Sequence, residues 1–233
     1  MTGLAGLRRF AQEPPAGARE TGAAPVPGES AGPPGVPAEA AEACEFCSSV
    51  IPEQHGHVAD LDHGTLACAC RACYLLFTRE GAGLTRDGGR YRAVPDRYLT
   101  DPDGQLTQPE WEDLEIPVGL AFFLTSSRTR RVAGFYPSPA GVTQCELDLA
   151  AWERLAASRP LLAAAADDVE AILMIRSEDR VDCFLVPVDA CYALAGRMRR
   201  DWRGFDGGPA AREAVTAFLD DVRARARPLP GRA

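Results

Sequence analysis

Hydrophobic positions are spread unevenly along the chain, and the unevenness divides it. Residues 11–40 hold seven Pro, five Gly and eight Ala with no apolar period. Such a stretch buries too little surface to offset the entropy of ordering it, so residues 1–42 are expected to be a disordered tail. Between Cys44 and Phe77 the pattern becomes that of a hairpin. His57–Leu61 reads as one strand, Asp62–Gly64 as a turn and Thr65–Cys70 as the return strand. Residues 81–106, rich in Gly, Asp and Pro, read as an irregular connection with a short strand at Tyr91–Val94.

From Thr107 the apolar runs lengthen. Thr107 is expected to cap a helix carrying Trp111 and Leu114, followed by strands over "IPVGLAFFLTS", "RVAGFYP" and Thr143–Leu147. Asp148 opens a helix through Trp152 and Leu155, and "VEAILMIR" and "RVDCFLVP" form a hairpin about "SED". Two helices close the series. Asp189 is expected to cap the first, with Cys191, Leu194, Met198 and Trp202 on its apolar face; Pro209 opens the second, which presents Val215, Phe218, Leu219 and Val222. The pattern predicts an α+β chain: a disordered tail (1–42), a zinc-ribbon-like hairpin module (43–80), a connection (81–106), an antiparallel sheet covered by helices (107–226) and a disordered C-terminus (227–233).

The hairpin segment also carries the chemistry. Five of the eight cysteines and all three histidines lie between Cys44 and Cys73. Cys44 with Cys47 and Cys70 with Cys73 make two CxxC turns, each of which delivers two thiolates to one point, so these four are the candidate metal ligands. Zinc suits an all-sulfur tetrahedral set, and iron fills the same set. An iron centre of the rubredoxin kind normally has Gly soon after the second cysteine of each knuckle; here Ser48 and Tyr74 follow directly, which weighs against it. Cys68, His55 and His57 are further candidate ligands: Cys68 shares a strand face with Cys70 and reads as a spare thiolate or a buried cysteine, and the histidines share a face and could complete a Cys3His set, a second site or the transferable site of a metallochaperone. His63 falls in the turn and is expected to be solvated. Cys145, Cys183 and Cys191 read as small buried hydrophobes, with a redox pair of Cys183 and Cys191 as the other reading.

Composition narrows the function classes. The chain of 233 residues, 46% hydrophobic, can bury a proper core, yet its longest apolar runs are far short of a membrane span. The amino-terminal sequence lacks the apolar core of a signal peptide, which points to the cytoplasm, where thiols stay reduced and clustered cysteines bind metal. There is no Lys and no Asn. P-loop, Schiff-base and Cys-His-Asn chemistry are therefore excluded, and the chain is expected not to be an enzyme. A net charge of −8 argues against nucleic acid as partner. The acidic Asp167, Asp168 and Glu170 read as a solvated loop.

Taken together, "CEFC", "HGHVADL", "LACACRACYLLF", "IPVGLAFF", "FYPSPAG", "CFLVPVDACYALAG" and "WRGFDGG" resemble an actinobacterial family without assigned function, over about Cys44 to Val222. Members of that family are commonly encoded beside uptake [NiFe] hydrogenases. The resemblance implies an accessory role around a hydrogenase: maturation, metal or cluster delivery, or an electron path. Its expected partners are then the hydrogenase or its maturation factors.

Overall fold

The computed structural model describes residues 42–78, 89–104, 106–138, 141–145, 147–178, 180–204 and 207–230. Apart from Glu42, the expected disordered tail lies outside the described residues, as do residues 79–80 of the hairpin module, 81–88 and 105 of the connection, and 231–233 of the carboxyl-terminal stretch.

Two sheets organise the chain. The smaller holds β1 (Gly56–Asp60), β2 (Thr65–Ala69) and β3 (Tyr91–Ala93) in the order β2-β1-β3, all antiparallel, with α1 (Arg71–Leu76) following β2. The turn is set by Asp60, which is buried. Its carboxylate accepts hydrogen bonds from the Asp62 N–H at 3.1 Å, from Arg90 Nε and Nη2 at 3.0 and 2.6 Å, and contacts His63 Nδ1 at 2.9 Å. His63, expected to be free in solvent, is thus held at the turn although its side chain is half exposed.

The larger sheet has seven strands. In chain order they are β4 (Leu99–Thr100), β5 (Leu120–Ser126), β6 (Arg131–Ser138), β7 (Gly141–Cys145), β8 (Glu170–Arg176), β9 (Val181–Pro187) and β10 (Arg227–Pro228). Their spatial order is β10-β4-β9-β8-β5-β6-β7, antiparallel except for β10 on β4. The helices are α2 (Gln108–Glu112), α3 (Leu149–Ser158), α4 (Pro160–Ala163), α5 (Val188–Asp201) and α6 (Gly208–Arg225). Thr107 caps α2 in a full capping box with Glu110, and Asp148 caps α3 through the Ala150 and Ala151 N–H groups.

The strands read as continuous apolar runs because both faces of the sheet are covered. Ala121, Phe123, Ile172, Met174, Val181, Cys183 and Leu185 pack against Trp111, Leu114, Trp152, Leu155 and Leu161 on the side of α2–α4. The alternate residues Phe122, Ala171, Leu173, Ile175, Phe184 and Val186 pack against Cys191, Leu194, Met198, Phe218 and Val222 of α5 and α6. The period of two along each strand accounts for the division. It also separates Cys183 from Cys191, which belong to opposite faces, so they make no redox pair; burial pushes both thiols up, Cys183 to about 12.

Several expectations are corrected here. The connection, expected to hold only the short strand at Tyr91–Val94 that forms β3, also supplies β4 to the larger sheet. The carboxyl-terminal stretch is ordered at Arg227–Pro228, where the Arg227 N–H donates to Tyr98 O at 2.9 Å. Glu170 is not solvated but buried at 1% exposure. Its carboxylate accepts from Arg97 Nε at 2.5 Å and Nη2 at 2.6 Å and from the Ala166 N–H at 2.8 Å. Asp168, left-handed at φ +68°, accepts from the Ser127 N–H at 3.0 Å. Asp189 lies inside the first turn of α5, whose N-cap is Pro187.

The two sheets meet across an apolar patch of Ala59, Val94, Val169 and Val188, with Leu61, Leu66 and Leu124 at its rim. Polar contacts ring it: Arg92 Nη1 donates to Asp167 O at 2.8 Å, Arg128 pairs with Asp62, and Tyr192 Oη donates to Gly64 O at 3.4 Å.

Burial raises the Asp60 carboxyl, but the hydrogen bonds from Arg90 and His63 outweigh it and hold the group well below the usual carboxylate range. A depressed folded value stabilises the fold above the unfolded value of about 3.9 and is lost as pH falls through it. The stability difference between wild type and Asp60→Asn, measured by urea unfolding, should be constant above about pH 5 and shrink toward about pH 2. A difference that does not vary with pH over that interval contradicts this role.

Candidate metal centre

Cys44 and Cys47 sit in a tight knuckle. The Ser48 N–H donates to Cys44 O at 2.8 Å and the Cys44 N–H to Ser49 O at 2.8 Å, closing the loop on itself. Ser48 adopts φ +60°, the left-handed conformation for which glycine is usual. The absence of glycine therefore does not prevent the knuckle from forming. An aromatic cluster underlies it, with Phe46 4.9 Å from Phe77 and 5.5 Å from Tyr91 between ring centroids.

The second CxxC turn is the start of a helix. β2 ends at Ala69, Cys70 is the N-cap of α1, and Cys73 lies in the first helical turn, where its N–H donates to Cys70 Sγ at 3.5 Å. One helical turn brings positions three apart onto the same face, so a helix start presents two sulfurs as well as a knuckle does. Gly56 of β1 is required beneath this helix. A Cβ there would lie 2.5 Å from Tyr74 Cδ2 and 2.9 Å from Cγ, and the same tyrosine is anchored by its hydroxyl to Val94 O at 2.8 Å.

These two turns bring one sulfur from each of Cys44, Cys47, Cys70 and Cys73 within 4.8 Å of one another, and Cys47 Sγ is 3.6 Å from Cys70 Sγ. A tetrahedral ion with metal–sulfur bonds of about 2.3 Å needs sulfurs about 3.8 Å apart. The set fits such an ion. Cys44 is 1% exposed; burial disfavours its thiolate, yet N–H groups of Cys70, Phe46 and Cys47 directed at it bring the thiol down to about 6. Cys73 is pushed the other way, up to about 12, by burial and by the neighbouring sulfurs. Thiolates gathered this closely repel one another, and a cation among the four sulfurs would relieve that repulsion.

Cys68 does not join this group. The β1–β2 register places it opposite His57, and one ligand atom from each of His55, His57 and Cys68 lies within 4.8 Å of the others. The Cys68 thiol is raised by burial and by the nearby Glu45 and Glu42 carboxylates. Beside the histidines a cleft of about 970 Å³ opens between the two sheets' modules, lined among others by Tyr74, Tyr98, Asp189 and Arg225. Sequence reasoning missed Asp189 as a site residue: its Oδ2 lies 2.8 Å from His57 Nδ1, across 132 positions of chain, with no local signal to announce the pairing.

A family model matches residues 43–226, covering the four-cysteine cluster and all of the larger sheet but β10. The chain belongs to DUF5947, a family of unknown function. No curated protein and no solved structure matches it. Within this DUF5947 chain the matched span begins one residue before Cys44 and ends at Ala226, the C-cap of α6, so residues 1–42 lie outside the match. No helix among the described residues is long and apolar enough to cross a membrane.

Replacing Gly56 by Ala should push Tyr74 and α1 outward and disturb Cys70 and Cys73. Overpacking of this kind costs about 1–3 kcal/mol, so metal affinity measured by chelator competition should fall about tenfold or more. Unchanged affinity would show that α1 is not held in place through Gly56.

Proposed function

We propose that this protein is a non-enzymatic metal-binding accessory protein in which Cys44, Cys47, Cys70 and Cys73 hold one structural zinc ion. The observation that carries the reading is the sulfur geometry: four thiols within 4.8 Å, delivered by two separate turns of backbone. All four ligand positions of a tetrahedral ion are then filled by protein, the closed arrangement of structural rather than catalytic zinc. A zinc ion would hold the knuckle, the hairpin and α1 as one unit, and through the β1–β3 sheet it would present that unit to the larger domain.

Iron in the same four thiolates, serving electron transfer, is the second reading. It is favoured by the N–H groups directed at Cys44 and by the left-handed Ser48, which give the first knuckle the sulfur hydrogen bonding that tunes an iron centre. The proposed partner is a protein. Val50, Leu75 and Leu76, on the segments that carry the ligands, expose large apolar side chains. A [NiFe] hydrogenase or its maturation factors is the partner class that the sequence resemblance supports, and the reduced state required of the thiols fits a cytoplasmic setting.

Elemental analysis with a visible spectrum, on protein purified anaerobically, should find zinc in the four-cysteine centre and no visible band. Cys44→Ser and Cys73→Ser should each lose that ion and lower the unfolding midpoint, whereas Cys145→Ser should leave metal content unchanged. Full metal retention in the Cys44→Ser/Cys73→Ser double variant would sink the reading. Iron with a reversible red-to-colourless change would select the second.

A further inference from the structure

The cluster of His55, His57 and Cys68 has features that a structural role does not explain. His55 is 7% exposed in its side chain, and its Nε2 is buried without a hydrogen-bond partner. A buried polar atom left unsatisfied is costly, and imidazole nitrogens are seldom left so. The other nitrogen is engaged: Nδ1 lies 2.9 Å from Pro52 O. A carbonyl oxygen only accepts, so Nδ1 carries the proton and Nε2 presents its lone pair.

His57 repeats the arrangement by a different route. Its Nδ1 lies 2.8 Å from the Asp189 carboxylate, another pure acceptor, which again fixes the proton on Nδ1 and frees Nε2. Metal-binding histidines characteristically donate their second N–H to a carboxylate or a backbone carbonyl, which holds the ring in position and raises its basicity. Here one ring has each kind of support. The rings are 4.8 Å apart between centroids, and cross-strand pairing brings the Cys68 sulfur to them. The surroundings suit a cation. Glu45 accepts from the Cys68 N–H at 2.7 Å, and Glu42 Oε2 lies 3.6 Å from His55 Nδ1.

We propose that His55, His57 and Cys68 form a second metal site, taking a divalent transition-metal ion of the zinc class through two imidazole nitrogens and one thiolate. Three protein ligands leave a fourth position for water or another small ligand, as in zinc sites that exchange or activate what they bind. His55 and His57 both line the cleft of about 970 Å³, and the open position is assigned to that side. The site is distinct from the four-cysteine centre in ligands, softness and closure. An ion there would be held more weakly and exchange more readily. Because Asp189 belongs to α5 and the ligands to the hairpin, occupancy would also fix the small sheet against the larger domain.

Titration of the demetallated full chain with Co²⁺ under anaerobic, reducing conditions tests this. Two equivalents are expected, the first giving the spectrum of a four-thiolate centre and the second that of a mixed nitrogen–sulfur centre. His55→Gln and Cys68→Ser should each remove the second equivalent and retain the first. Asp189→Asn, which alters no ligand and lies outside the hairpin, should weaken the second by about 10–100-fold and leave the first unchanged. Conversely, Cys47→Ser should abolish the four-thiolate spectrum, so failure of the zinc reading and failure of this one are separable. A single equivalent in the wild type, or an Asp189→Asn protein that binds the second ion as tightly as wild type, overturns the proposal.

Discussion

Four sulfur atoms meet at one point in a module that has little else to hold it together. Among the described residues its own apolar cluster is Cys44, Ile51, Val58 and Ala69, supported by partly buried aromatic rings. A core of this size does not offset the entropy of ordering the chain, and small modules rely on a staple. The electrostatics point the same way: N–H groups favour a thiolate at Cys44, while the neighbouring sulfurs disfavour one at Cys73. A divalent ion among the four sulfurs would answer both.

The larger domain stands on a different footing. Its sheet is buried on both faces, and its deeply buried carboxylate Glu170 is matched by the two-pronged Arg97 guanidinium. It therefore offers a rigid wall for the small sheet to lean on, through Val169 and Val188 against Ala59 and Val94. His57 with Asp189 and Arg128 with Asp62 then fix the angle of contact. The cleft between the modules follows from this docking, and so does the environment of the histidines at its edge.

Features written in local pattern were legible in the sequence. The CxxC spacing named the four sulfurs, and apolar alternation located the hairpin, β5, β8 and β9 and the helices that flank them. Features decided by distant contacts were not. β4 and β10 are two residues each and exist only by pairing with other strands. Asp167, Asp168 and Glu170 look solvated until Arg92 and Arg97, about seventy positions earlier, are brought to them. Cys68 shares an alternation with Cys70, which suggested one site. The strand ends between them, however, and Cys70 turns into a helix while Cys68 stays opposite His57. Ser48 carries the left-handed knuckle position without the glycine that would have signalled it.

The central claim is that the two turns converge on a single ion. X-ray absorption at the zinc edge, on protein carrying one equivalent, reads that ion's neighbours directly. The account predicts four sulfur atoms at about 2.3 Å and no nitrogen or oxygen in the first shell. A shell of nitrogen or oxygen atoms at about 2.0–2.1 Å would contradict it, because the first ion would then be held elsewhere than between Cys44, Cys47, Cys70 and Cys73.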